Sequence, residues 1–160
     1  MKNTSEVTRR LKDARACLTS ARKNLPLEEH RVVVQNAQLC IELSAKAVIA
    51  YFAEPLWSHD PSNQLLSILE ERKGEIEDKF GEAMLKGLYE LASDAEEAAP
   101  WHVWSTYGKE AENGAPISAV ELCTKEAARD LLERAIRCLV VADRFFESLQ
   151  ADLQSNLLGC

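Results

Sequence analysis

Glycine and proline are scarce in this 160-residue sequence, six and five residues respectively. That is too few turn-formers for a many-stranded sandwich or barrel, and it also excludes collagen-like and low-complexity architectures. Paired cysteines are missing too. Cys17, Cys40, Cys123, Cys138 and Cys160 form an odd set with no C-x-x-C spacing. They read as reduced thiols, three of them small hydrophobes at helical spacing, with Cys160 a free thiol at the tail. No run of about 20 uninterrupted apolar residues is present, the length a membrane span needs. The most apolar window, residues 32–53, is broken by Gln35, Gln38, Glu42 and Lys46. The first residues (Lys2, Asn3, Thr4, Ser5) lack the apolar stretch of a signal peptide. A cytoplasmic protein without a membrane segment is the expectation.

Catalytic signatures are equally sparse. A helical di-iron site needs Glu-x-x-His pairs, but Leu27, Leu56 and Ala99 stand three positions before His30, His59 and His102. No Cys/His spacing suits zinc. The phosphate-loop, G-x-G-x-x-G and G-x-S-x-G patterns do not occur. The expectation is therefore no metal and no cofactor. These absences weigh against an autonomous enzyme without excluding an atypical one.

What the sequence does contain is ordinary globular composition, 46% hydrophobic and 28% charged, with a net charge of −7. Residues 1–31 hold eight basic and four acidic side chains, net +4, so the rest carries −11. An acidic chain is a poor general binder of phosphate backbones. The basic first segment is most simply a solvated helix face, or else a surface for an acidic partner or RNA.

Helical periodicity runs throughout. Val7, Leu11, Ala14, Leu18 and Ala21 make one apolar stripe, with Thr4 or Ser5 as N-cap, and Pro26 ends the segment. Residues 27–53 are apolar over most of the circumference, which belongs in the middle of a bundle. At 100° per residue, Arg31, Gln35, Gln38, Glu42 and Lys46 fall in one strip roughly 80° wide. Asp60-Pro61 starts a short helix over residues 62–72, which Gly74 breaks; a longer one follows over 75–98. Residues 100–116, holding Trp101, His102, Trp104, Tyr107 and Gly108, show no period and read as a long loop of functional or mobile type. Ser118 with Glu121 forms a capping box, and Thr124 is a second cap, so the last helix starts at either and runs to about residue 153. The fold class is all-α: an up-and-down bundle of four long helices plus one short helix, a single domain over residues 1–160.

Three places carry candidate chemistry. Glu42 and Lys46 stand at i, i+4 in the favourable order. As an exposed pair, the simpler reading, they mean little; lining an internal cleft, they must be paired because a lone buried charge is costly. His59 and Asp60 precede the short helix, with Asp60 as its cap and His59 either a loop residue or beside an anion-binding helix start. Trp101, Trp104 and Tyr107 either cover one end of the bundle, form an association surface, or offer a stacking platform.

The stretch from Gln38 to Ala50, with Glu42, Lys46 and Ala47, resembles the second helix of HEPN domains, an apolar helix with a Glu…Lys-Ala core. His59-Asp60 before Leu65-Leu66 is similar to that family's His-Asp-Leu stretch, with Pro61 in place of Leu. Tyr107-Gly108 is similar to its Arg-Tyr-Pro/Gly segment, with Thr106 where Arg is usual. The alanine-rich last helix fits as well, and the resemblance covers residues 5–150. It implies a bundle of four or five helices, usually a homodimer, that binds nucleotides or pairs with a minimal nucleotidyltransferase in a toxin–antitoxin module. Many members are RNases with an Arg-x4–6-His motif, and this chain lacks it. The positions that would hold Arg are Lys23, Asn24 and Leu25 for His30; Phe52, Ala53 and Glu54 for His59; and Ala95, Glu96 and Glu97 for His102. The expectation is a non-catalytic binding module with Glu42, Lys46, His59, Asp60 and Tyr107 at its ligand site. The alternatives are an atypical RNase using His59 or His102, and a structural dimerisation module.

Overall fold

A computed structural model of the chain describes residues 3–158. The helices are α1 (Thr4–Asn24), α2 (His30–Phe52), α3 (Ser62–Glu71), α4 (Lys73–Phe80), α5 (Glu82–Ala98), α6 (Trp101–Tyr107), α7 (Ala119–Leu122) and α8 (Lys125–Leu158). A two-residue antiparallel hairpin, β1 (Lys109–Glu110) with β2 (Pro116–Ile117), lies between α6 and α7. The all-α class holds, and the four long helices are α1, α2, α5 and α8.

The short elements depart from the sequence reading. Asn3, not Thr4 or Ser5, caps α1: its side-chain oxygen accepts from the Glu6 amide at 3.1 Å. Gly74 lies inside α4, and the preceding break falls at Arg72, whose φ of −116° and ψ of 17° leave the helical region. The helix anticipated over residues 75–98 is instead interrupted at Gly81, where φ is +87°, a conformation that glycine reaches without a Cβ penalty. Both anticipated caps near residue 120 are used. Ser118 and Glu121 form the capping box of α7, and the Thr124 hydroxyl accepts from the Ala127 amide at the start of α8.

The largest departure is residues 100–116. Trp101 to Tyr107 form α6, and the chain then turns through Gly108 into the hairpin. Gly108 has φ +79°, and a Cβ there would collide with the Ile117 carbonyl oxygen. Glycine is thus required both by backbone angle and by close approach of β2.

The core forms along α2, whose inward residues Val33, Ala37, Ile41, Ala45 and Ile49 are fully buried against α1, α5 and α8. By length and apolarity α2 could cross a membrane, closer to that threshold than the sequence reading allowed. Here 67% of that stretch is buried within the same chain. Tyr51, Phe52, Phe80 and Phe145 stack edge-on or tilted at one end, with centroids 4.8–5.8 Å apart. A buried carboxylate ties α5 to α8: Asp94 accepts from Arg137 Nε at 2.6 Å, Arg137 Nη2 at 2.7 Å and Arg134 Nη1 at 2.9 Å. Cys40, Cys123 and Cys138 are buried and Cys17 is half-buried, all as free thiols; Cys160 lies outside the described residues.

Candidate functional site

The polar strip of α2 turns from exposed at Arg31 to buried at Gln38, Glu42 and Lys46. It forms a seam on which α6 docks. At the N-terminal end Arg31 Nε donates to the Ser105 carbonyl at 2.7 Å and Arg31 Nη2 to the Thr106 carbonyl at 3.2 Å. Gln35 Nε2 donates to Ser105 O at 3.1 Å. These side chains satisfy carbonyls at the end of α6 that have no partner within their own helix. Further along, Gln38 Nε2 donates to Glu42 Oε2 at 3.2 Å, and Lys46 Nζ donates to Glu42 Oε1 at 2.9 Å.

Glu42 and Lys46 are only 5% and 9% exposed. The exposed reading of this pair is therefore corrected: α6 and the segment before α3 cover them. Burial pushes the Glu42 carboxyl up, but the hydrogen bond and charge of Lys46, with help from Gln38 and His59, outweigh it. The net result lies below the ordinary 4.5. The carboxylate is thus charged and paired.

Glu42 also reaches outward. Its Oε2 lies 3.2 Å from His59 Nδ1, and the His59 side chain is 59% exposed. The His59 ring stacks on that of His102 from α6, with centroids 3.4 Å apart and planes 14° from parallel. Burial, then the proximity of His59, hold the His102 imidazole below its usual 6.5, with Glu42 opposing in part. Glu42, His59 and His102 therefore converge from α2, the segment before α3, and α6. Each offers a donor atom within 4.8 Å of the others. His102 entered the sequence reading only as an alternative catalytic residue. Pro100 was the available sign, since proline at a helix start would have placed His102 in a first turn.

Asp60 and Tyr107 stand apart from this cluster. Asp60 Oδ1 accepts from the Ser62 amide at 3.0 Å and the Ser62 hydroxyl at 2.6 Å, so it fixes the entry to α3 from one residue before the N-cap, which is Pro61 and not Asp60 as expected. Tyr107 is 83% exposed at the end of α6. Five residues from His102, it points roughly 140° away around the helix, so the structure does not bring it to the histidines. Trp101 and Trp104 pack edge-to-face at 5.4 Å, Trp101 against the core, with Lys109 Nζ 4.4 Å from the Trp104 ring centre.

Beside the cluster, a groove of about 190 Å³ is lined by Gln35, Gln38, Leu39, His102, Ser105 and Thr106. The hydroxyl of Ser105, one of the lining residues, is buried and has no hydrogen-bond partner among the described residues. A larger groove of about 420 Å³ lies between α4, α5 and α8, lined by Phe80, Met84, Gly87, Val141 and Arg144 among others, and contains no residue of the seam.

A family model described as HEPN domain matches residues 7–147. The chain belongs to the HEPN family. No curated protein and no solved structure gives a significant match. Within this HEPN domain the Glu42, Lys46 and His59 positions noted from the sequence form one connected cluster.

Proposed function

We propose that this HEPN domain is a non-catalytic binding module whose groove between α2 and α6 receives a nucleotide. The observation that carries this reading is the seam itself. A buried ion pair, Glu42 with Lys46, connects through His59 to solvent and runs beside a groove lined by amides and an imidazole. Carboxamides read the hydrogen-bonding edge of a base, and an imidazole face stacks on it. The groove is smaller than the ~300–1,000 Å³ of drug-sized pockets, so it suits one ring system and leaves the phosphates outside, toward His59. The exposed apolar residues Leu56, Trp57 and Val103, neighbours in sequence of the two histidines, offer a rim for a partner protein. A minimal nucleotidyltransferase of a toxin–antitoxin pair, or a second copy of the chain, is the partner the family implies. Calorimetry with purified nucleoside mono- and triphosphates tests the small-ligand reading. Binding of at least one, weakened about tenfold in Gln35→Ala, is expected. No binding, or binding indifferent to Gln35 and His102, would sink it.

One arrangement supports a second reading as an atypical RNase. Two imidazoles in contact beside a carboxylate are suited to general acid–base transfer at a phosphodiester, and the basic α1 could hold RNA. Incubation of total RNA with wild type and His59→Ala separates the two. Cleavage lost in the variant favours the nuclease, and intact RNA with both favours the binding module.

A further inference from the structure

We infer that Glu42, His59 and His102 form a binding site for a divalent transition-metal ion, zinc in type. Two imidazoles and one carboxylate are the donor set of an open zinc site, in which a fourth position is left to water or a ligand. The three donors come from separate parts of the chain, residues 42, 59 and 102, and the fold brings their ligand atoms within 4.8 Å of one another. Tetrahedral ligands about 2.1 Å from a metal are about 3.4 Å apart, and Glu42 Oε2 and His59 Nδ1 already stand 3.2 Å apart.

The supporting contacts are also those of a metal site. Lys46 binds the other carboxylate oxygen, Oε1, and Gln38 donates to Oε2, so both oxygens are held in place while Oε2 stays within reach of His59. Such outer contacts orient a ligating carboxylate. The cost is also visible. The Lys46 ammonium opposes a second cation, which sets the affinity below that of a buried structural site. Stacked rings present their nitrogens side by side, not convergently, so ligation requires one ring to turn. His59 can do so, because its side chain is 59% exposed. The nitrogen and oxygen donors favour Zn²⁺, Co²⁺, Ni²⁺ or Cu²⁺ over Mg²⁺ or Ca²⁺, which prefer all-oxygen shells.

The inference does not rest on nucleotide binding, and its test uses the metal alone. The 160-residue chain, stripped with chelator, is titrated with Zn²⁺ by calorimetry and with Co²⁺ by visible absorption. One Zn²⁺ per chain is expected, and Co²⁺ should give ligand-field bands of a nitrogen–oxygen site without thiolate charge-transfer absorption. His59→Ala, at an exposed position that leaves the core untouched, should weaken Zn²⁺ binding at least about tenfold, and so should His102→Ala. His30→Gln, which alters the third histidine, should bind like wild type. Absence of Zn²⁺ binding would overturn the site, as would affinity unchanged in His59→Ala or a Co²⁺ spectrum dominated by thiolate bands. A stripped protein that binds nucleotide but not Zn²⁺ would reject the metal and leave the nucleotide reading intact.

Discussion

At the depth of Glu42, 5% exposed, a carboxylate is tolerated only with a partner. Lys46 is that partner, and the two are interdependent. Removing either leaves the other charge buried and uncompensated, a loss of about 3–5 kcal/mol in comparable pairs, whereas apolar replacement of both is often near neutral. Glu42→Ala should therefore lower unfolding stability by about 3 kcal/mol in urea denaturation. The double variant Glu42→Leu/Lys46→Met should recover most of that loss while losing the polar seam. If the double variant is as unstable as the sum of the single ones, the pair is not acting as a unit. The i, i+4 spacing made this pair visible in the sequence, but its burial was not. A period of 3.6 says which residues share a face and not what covers that face, and here the cover is α6, some 60 residues further along.

Elements differ in how much of them a sequence exposes. The four long helices were legible because each carries an apolar stripe of at least four turns, and the caps at Ser118 and Thr124 were legible because capping chemistry is local. The helix α6 was not. Seven residues rich in aromatics show no period, and its last carbonyls are satisfied by Arg31 and Gln35 from α2, contacts that no local pattern encodes. The His59–His102 pair was hidden for the same reason, since His59 could be placed near a helix start while its neighbour lay in an apparent loop. Glycines show the converse error. Gly74 looked like a breaker and is helical, while Gly81, Gly108 and Gly114 carry positive φ values. Alanine substitution separates them. Gly74→Ala has open space around its Cβ and should stabilise by about 0.5–1 kcal/mol through helix propensity. Gly108→Ala should destabilise by more than 1 kcal/mol, because both its φ and the Ile117 carbonyl resist a side chain. Thermal denaturation of both variants checks this, and equal effects would contradict the assigned backbone roles.

The bundle as a whole is closed along α2 and α8 by groups that must stay in one protonation state. Cys40 is fully buried on α2, its sulfur facing the Ala135 carbonyl of α8. Cys138 on α8 lies against the Asp94 carboxylate that holds Arg134 and Arg137. Burial, reinforced for Cys138 by the charge of Asp94, pushes both thiols above their ordinary 9.0, Cys40 to about 12. The unfolded chain ionises these thiols first, so between pH 9 and 12 the folded state binds more protons than the unfolded one. Raising the pH through that window must then destabilise the fold. Below pH 9 both states are protonated and the effect vanishes. The steepest slope is about 1.4 kcal/mol per pH unit for each thiol. Chemical denaturation from pH 8 to pH 10.5 should show this alkaline decline. Cys40→Ala should start from a lower stability, because a small cavity replaces the sulfur, yet decline less steeply as pH rises. Parallel curves for wild type and variant would show that the Cys40 thiol does not titrate with unfolding.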